Sequence, residues 1–531
     1  MLKRFLIITI HCFSASLFFS QESNTSYPQK IEEVYNMIDH MYVDDVQKDE
    51  ICDAAIVAML EQLDPHSSYI PKDEVESANE KINGSFVGIG IRFQIVDDTL
   101  LVVNPIPGGP SEKLGIRAGD KIIKIDDEIV AGVGLKNAGV RERLLGEKGS
   151  KVNVTIKRKR SFESLSFTIT RDNIALNSVT SSYMVDSETG YLKLTSFSKT
   201  TREEVTQCLK DLKSKGMKNL IFDLQGNGGG LLYAAKYVAD EFLDEDKLIV
   251  YSEGRSQPKS VLSADTKGEF EKGKLILLID EGSASASEIL AGAIQDWDRG
   301  LIVGRRSFGK GLVQRPMELN DGSQIRLTIA RYYTPSGRFI QKPYDDKAEY
   351  DNDYLNRYLS GELMNADSIK FPDSLKYKTL NHKRTVYGGG GIMPDLFVPL
   401  DTSEYSTFYK KLSQSGIFND YAIRYVEDHR AELQSVYNSL EDFKKNFGND
   451  NQFINDFIVY ANETDTTLSF SESDFSISNE LIHIRLKALI ASNLWDYSAF
   501  YEIFNVKDEI FMAAYNILLR DKYESLLLSE K

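Results

Sequence analysis

Two segments near the start of the chain, IEEVYNMIDHMYV and EICDAAIVAMLEQL, carry apolar residues three and four positions apart, the spacing of a single helical face. DPHSSYIP, from Asp64 to Pro71, interrupts them with turn-forming residues. From Gly84 the period shortens to two. SFVGIGIRFQIVDDTLLVVNPI alternates, is rich in β-branched residues and turns at Asp97-Asp98, which predicts paired strands. GGPSEKLGIRAGDKIIKIDDEIV then reads as a turn, a short helix, a second turn at RAGD, a strand and a tight turn at Asp126-Asp127. KNAGVRERLLG predicts another helix and KVNVTIKRK a closing strand, so this stretch forms a small α+β module. From about Phe167 strand and helix patterns alternate: GYLKL, REEVTQCLKDLKSK, NLIFDL, the glycine turn QGNGGG, LLYAAKYVADEFL, KLILLID, a helix from Ser285, LIVG and IRLTIARYYT. That alternation predicts an α/β layer domain with a partly parallel sheet, and chemistry in the loops at its strand ends. Residues 343–391 are polar and end in four glycines, Gly388 to Gly391, which predicts an inserted loop with some helix. From about Glu404 onward the pattern is helical and aromatic-rich.

Composition narrows the class. The 531 residues predict about three or four domains. With 42% hydrophobic and 27% charged residues the chain reads as globular protein. A net charge of -16 argues against nucleic acid or an anionic membrane surface as partner. At the N-terminus Lys3 and Arg4 precede an apolar run from Phe5 to Phe19 and then Ser20 and Gln21, the three-part layout of a secretory signal. The expected location is therefore outside the cytoplasm, periplasmic or extracellular, with membrane association if the segment is retained. Cys12 leaves with the signal, and Cys52 and Cys208 are expected to be buried and unpaired. With no CxxC, no HExxH and no His/Cys cluster, neither a metal nor another cofactor is expected.

Three fragments carry candidate chemistry. DEGSASASEILAGA holds Ser283, Ser285 and Ser287 where a strand turns into a helix. Ser285 and Glu288 fit an S-x-x-E capping box, and the same place suits an exposed nucleophile, so both readings stay open. VGRRSFGKGLVQ sets Lys310 between two glycines beside Phe308, Leu312 and Val313. A buried lysine loses its charge and serves as a general base; reaching neutrality near pH 7 takes about 3.4 units, roughly 4.6 kcal/mol, within the range that burial supplies. The run Gly304 to Lys310 is one residue short of a phosphate loop and is followed by Gly311 rather than Ser or Thr, which excludes nucleotide binding there. FDLQGNGGGLL offers backbone N–H groups at a helix start, where an oxyanion is stabilised, or only a left-handed glycine turn.

In this order the three fragments resemble the carboxy-terminal processing peptidases, serine proteases with a Ser/Lys dyad. The D-L-R-x-N-x-G-G-L-L pattern runs from Asp223 to Leu232 with Gln225 in place of arginine; S-A-S-A-S-E-I is complete from Ser283 to Ile289. V-G-x-x-T/S-F-G-K-G-x-V-Q matches with Arg305 in place of glutamate. YYTPSGRFIQ and GIMPDLFVP are further matches, here separated by about 50 residues. LDPHSSYI is similar to the family's N-terminal signature, with His66 structural. The resemblance implies Ser285 as nucleophile, Lys310 as base, Gln314 as its orienting partner, Gly229 and Ala286 as oxyanion donors with Gly230 as second choice, and Asp296 in support. It also implies a PDZ module whose loop Gly88, Ile89, Gly90 and Ile91 receives a free C-terminal carboxylate.

The expected fold is thus a crotonase/ClpP-like layered α/β protease core with an inserted α+β PDZ module and helical regions at both ends. The expected division is a signal at 1–20, a helical region at 21–80, the PDZ module at 81–162, the peptidase core at 163–400 with its insertion at 343–391, and a helical region at 401–531. Expected partners are proteins or peptides with free, apolar C-termini, and a second copy or an adaptor. The alternatives are a catalytically silent PDZ scaffold that binds protein tails and a crotonase-like acyl-CoA enzyme; the second gives Lys310 no role.

Overall fold

The computed structural model describes residues 26–158, 163–448, 452–465, 468 and 470–528. The signal-like segment at 1–20 and Cys12 lie outside them. Contacts divide the chain into Met1–Leu63 and Asp64–Lys531. In the first unit two helices are described, α1 (Tyr27–Met41), opened by Pro28 in its first turn, and α2 (Lys48–Glu61). Cys52 and Cys208 are both unpaired, but Cys52 is exposed rather than buried: α2 presents it outward.

The second unit starts with a strap, β1 (Ser68–Ile70) and α3 (Val75–Asn83). A small module follows: β2 (Ser85–Gly88), β3 (Ile91–Val96), β4 (Thr99–Pro105), α4 (Pro110–Lys113), β5 (Lys121–Ile125), β6 (Glu128–Ile129), α5 (Asn137–Leu144), β7 (Lys151–Lys157), β8 (Leu165–Thr170) and β9 (Asp172–Ala175). Its sheet runs β3-β4-β5-β7-β8, with β6 beside β5, while β2 pairs with β9. The Asp97-Asp98 and Asp126-Asp127 turns have φ of 50, 51, 44 and 68°, the left-handed pairs that suit tight hairpins. Ile89, Leu100, Val102, Ile122 and Val154 lie in its core.

The layered domain contains β10 (Val179–Met184), β11 (Thr189–Leu194), α6 (Thr201–Ser214), β12 (Asn219–Asp223), α7 (Leu232–Asp240), β13 (Leu248–Gly254), β14 (Gln257–Ser263), β15 (Lys274–Ile279), α8 (Ala286–Asp296), β16 (Leu301–Gly304), β17 (Leu312–Glu318) and β18 (Gln324–Tyr333). The insertion adds α9 (Lys347–Asp351), α10 (Asp353–Leu359) and the hairpin β19 (Lys376–Lys378) and β20 (Thr385–Tyr387), before β21 (Leu396–Phe397). The main sheet has the order β10-β11-β12-β15-β16-β21 and is parallel from β11 to β21. Its middle strands NLIFD and KLILLI are apolar nearly throughout because both faces are covered. Leu220, Phe222, Leu275 and Leu277 pack with residues of α6, α7 and α8.

IRLTIARYYT does not join this sheet. As β18 it lies in a second, antiparallel sheet with β1, β13, β14 and β17, because its apolar residues alternate with Arg326, Thr328 and Arg331 and it forms a hairpin with β17. The helical end comprises α11 (Thr407–Ser415), α12 (Ile417–Val436), α13 (Leu440–Asn446), α14 (Gln452–Thr464), α15 (Glu472–Leu494), α16 (Tyr497–Phe504), α17 (Glu509–Leu519) and α18 (Tyr523–Leu527). Helices α11 to α16 enclose a core of their own around Phe408, Phe418, Phe443, Phe457 and Leu486. The last two do something different: Ile510, Phe511, Ala514 and Ile517 of α17, with Tyr523 and Leu527 of α18, cover Ile221, Ile276, Leu278 and Val303 on the second face of the main sheet.

Candidate active site

The site lies beyond the C-terminal ends of β12, β15 and β16, where three loops meet. The three serines of the turn after β15 have different surroundings. Ser283 Oγ donates to the Leu224 carbonyl at 2.8 Å and Ser287 Oγ to the Asn227 carbonyl at 2.8 Å, and both serines are fully buried. These two hydroxyls tie the turn to the glycine loop after β12. Ser285 stands between them at the start of α8 with φ 57° and ψ -111°, a conformation that costs an L-residue about 1–3 kcal/mol. Ser285 and Glu288 also close the capping box expected from their spacing.

Lys310 arrives from the loop after β16. Glu288, fully buried, joins the two: its Oε2 accepts the Ser285 N–H at 2.7 Å and the Lys310 N–H at 2.9 Å. Its Oε1 accepts from Ser307 Oγ at 2.6 Å and from the Gly309 N–H at 2.7 Å. Tyr332 makes a second bridge, its hydroxyl sharing its one proton between the Ser285 carbonyl at 3.1 Å and the Lys310 carbonyl. The residues named as nucleophile and base are thus fastened together twice through their main chains. Sequence reasoning gave Glu288 only a capping role and Tyr332 none; the S-x-x-E spacing was the available signal for the first.

The Lys310 Nζ donates to Gln314 Oε1 at 2.9 Å, and Gln314 Nε2 donates to the His66 carbonyl. Burial holds the Lys310 pKa below its usual 10.5 against the opposing pull of Glu288 and Asp64, and Arg326 adds to the lowering. Burial likewise holds His66 down at about 4, helped by Lys310, so its imidazole is neutral and its Nε2 lies 2.7 Å from the Tyr350 hydroxyl of α9. The insertion therefore reaches the site. Arg357 of α10 donates to the carbonyls of Arg306, Ser307 and Phe308, the three residues leading toward the lysine.

The oxyanion candidates also converge. A Cβ placed on Gly229, whose φ is +99°, would meet the Ala284 carbonyl at 2.7 Å, Ser285 Cβ at 2.8 Å and the Ala286 nitrogen at 2.9 Å, so only glycine fits there. The Ala286 N–H, at the first position of α8, has no acceptor among the described residues. The Gly229 N–H, however, donates to Asn227 Oδ1 at 2.9 Å. The bridge to Phe197 uses the Gly229 carbonyl and the Leu231 N–H, which turns the intervening Gly230 N–H to the other side, without an acceptor among the described residues. Gly230, the second choice from sequence, is thus the glycine with a donor to spare.

Asp296 is not brought to the reacting groups. It ends α8, eleven residues after Ser285 and so about 16 Å along the helix. It is fully buried, pairs with Arg338 at 2.5 Å and accepts the Ser336 N–H at 2.8 Å. Its reach is structural, into the TPSGR turn.

In the small module, Ile89 and Gly90 lie between β2 and β3, with Gly90 at φ +75°. The Ile89 carbonyl accepts from Ser111 N–H and Oγ at 3.1 and 2.6 Å, and the Gly90 carbonyl from the Ile106 N–H at 2.9 Å. The carbonyls are engaged, while the N–H groups of Ile89 and Gly90 donate to nothing among the described residues. β3 is the terminal strand of its sheet, and a groove of about 820 Å³ beside it is lined by Phe93, Ile95, Leu135 and Asn137, with Asp420 of α12 at one side.

A model described as peptidase family S41 matches residues 188–348, and a PDZ domain model matches 87–169. Residues 16–74 match a model of the N-terminal domain of the activating protease CtpB, and 408–496 a family of unknown function. The chain is 36% identical over 324 residues to carboxy-terminal processing protease CtpA of Bacillus subtilis, covering 61% of this chain and 68% of that protein. It is 37% identical over 345 residues to a carboxy-terminal-processing protease of Bartonella bacilliformis, covering 64% and 78%. Among solved structures it is similar to a photosystem II D1 C-terminal processing protease, at 31% identity and a TM-score of 0.35, covering 59% of this chain and 84% of that one. A layered α/β domain joined to a PDZ module, with these matches, defines a serine-type peptidase. The chain belongs to the carboxy-terminal processing proteases of peptidase family S41.

Proposed function

We propose that this protein is an exported serine endopeptidase that cleaves proteins selected by their free C-terminus, with Ser285 as nucleophile and Lys310 as general base. Ser285 Oγ forms a bond to the scissile carbonyl carbon while its proton passes to the uncharged Lys310 Nζ. The carbonyl oxygen, now negative, is received by the N–H groups of Ala286 and of the Gly229-Gly230 segment, Gly230 carrying the free donor. The C–N bond then breaks, and the proton on Lys310 goes to the departing amine. Water then attacks the ester carbon, giving a proton to Lys310; the bond from that carbon to Ser285 Oγ breaks, and Lys310 returns the proton to Oγ, which restores both residues. Gln314 keeps Nζ turned toward the serine, and Asp296 supports the architecture from the far end of α8.

The observation that carries this reading is the double bridge of Glu288 and Tyr332 between residues 285 and 310, with Ser283 and Ser287 already committed to carbonyls. The Ile89 and Gly90 N–H groups beside a terminal strand support capture of a C-terminal carboxylate, with the tail adding to β3 and its apolar last side chain in the groove. Export is supported by the sequence of residues 1–20. The full chain should be incubated with an unfolded protein ending in apolar residues and with a serine-reactive phosphonate. Wild type should cleave and take up the label; Ser285→Ala should remain folded and do neither. Cleavage at wild-type rate by Ser285→Ala would refute the dyad, and tail binding without any cleavage by wild type would leave the scaffold reading.

A further inference from the structure

The two positions where the active-site fragments depart from the shared pattern, Gln225 and Arg305, both meet the start of α17. Gln225 Nε2 donates to Asp508 Oδ2 at 2.9 Å. Arg305 pairs with Glu281 at 2.9 Å and extends to Glu509 at 3.7 Å. Asp508 is the N-cap of α17, its Oδ1 accepting the Phe511 N–H at 2.9 Å, so its second oxygen is held in a fixed direction.

Each contact bears on one arm of the site. Gln225 opens the glycine loop, four residues before Gly229. Its N–H donates to Asp223 Oδ1 at 2.8 Å and its carbonyl accepts Lys193 Nζ at 2.9 Å. Lys193 pairs with Asp223 at 3.0 Å, and the Tyr191 hydroxyl donates to the same carboxylate at 2.6 Å. Beneath the loop there is thus a closed polar cluster whose last member, Asp508, comes from the far end of the chain. Burial and the neighbouring Asp223 hold the Asp508 carboxyl up at about 6, consistent with its dependence on the few donors it has. Arg305 follows the last residue of β16, its N–H donating to the Ile279 carbonyl at 3.1 Å, and begins the loop that ends in Lys310. One helix terminus therefore touches the start of the oxyanion loop and the start of the lysine loop, while its apolar side is anchored on the main sheet.

We infer that the N-terminus of α17 is a positioning element of the active site, Asp508 setting the glycine loop through Gln225 and Glu509 setting the approach to Lys310 through Arg305. This rests on the dyad reading. Neither residue reaches the reacting atoms; their effect is on where the oxyanion donors and the amine stand, and a displacement of about 1 Å there costs on the order of 10²-fold in rate.

The test exchanges the two ends of one hydrogen bond in the full chain. Gln225→Glu sets two carboxylates against each other. The rate of Ser285 phosphonate labelling and kcat should fall about 10- to 100-fold, with KM for the unfolded substrate nearly unchanged. Gln225→Glu combined with Asp508→Asn puts the amide and the carboxylate in each other's places and keeps a good N-cap. It should restore both rates to within about threefold. A purely structural helix predicts instead that rates follow the melting temperature alone. Wild-type rates in Gln225→Glu overturn the inference, as does a double variant that regains its melting temperature but not its rates. Labelling that persists in Ser285→Ala overturns the dyad reading and this inference with it. Labelling lost in Ser285→Ala but unchanged in Gln225→Glu overturns the inference alone.

Discussion

The serine turn and the lysine loop share one site but are held by different means. The turn is fixed by its immediate surroundings. Ser283 and Ser287 take the Leu224 and Asn227 carbonyls, and the Ala284 N–H takes the Asn227 carbonyl at 3.0 Å, all within loops that follow adjacent parallel strands. The lysine loop is held by side chains imported from elsewhere: Glu288 of α8, Arg357 of the insertion, and Gln341, whose Oε1 accepts the Gly311 N–H at 2.8 Å. Under the proposed mechanism the nucleophile comes with the sheet, and the base depends on accessories that the sheet does not supply.

The comparison can be broken most sharply at the base itself. Lys310→Met keeps the length and apolar packing but removes the amine, and should lower cleavage by at least about 10⁴-fold while the serine turn stays intact. Circular dichroism and the phosphonate assay would show a folded, unlabelled protein. Next is Glu288, whose carboxylate accepts from both arms. Glu288→Ala leaves four buried donors without their acceptor and should cost about 3–5 kcal/mol, read as a lower urea midpoint, with activity lost as well. A stable Glu288→Ala protein would mean that the two arms do not need their shared clasp.

Smaller effects sharpen the contrast. Arg357→Met frees three carbonyls on the lysine side only; kcat should fall about tenfold. Ser287→Ala should instead cost about 1 kcal/mol of stability. Equal kinetic damage from both would erase the distinction. The smallest effect concerns pH. The amine must be uncharged, so kcat should climb as pH rises through the Lys310 pKa, which burial places below 10.5. The Asp64 carboxylate favours the charged amine; Asp64→Asn removes that pull and should move the climb to lower pH by a fraction of a unit. A shift to higher pH would put Asp64 outside the electrostatic reach of the base.

What the chain discloses without coordinates follows the same line. The parallel strands, the helix after Ser285 and the two-residue aspartate hairpins were legible because apolar period and turn chemistry are local properties. Ser285, Lys310 and Gln314 stand out as a set only through their order and the resemblance it carries; the acceptors that set Ser283 and Ser287 apart from Ser285 on physical grounds are not a local property of the sequence. The place of β18 in the second sheet was not legible, since alternation along a strand does not say which partner it takes. Arg357, Tyr350 and Asp508 could not be found at all: each acts from 50 to 284 residues away through a carbonyl, an imidazole or an amide, and no periodicity encodes that.

Among the elements of this fold, α17 and α18 are the last to leave the ribosome. Until they do, one flank of the β12-β15-β16 layer is bare, Gln225 Nε2 lacks Asp508, and Arg305 has Glu281 but not Glu509. On the inference above, a chain that has not yet made them, or that stops short of them, carries its serine turn and lysine loop without the support that α17 gives.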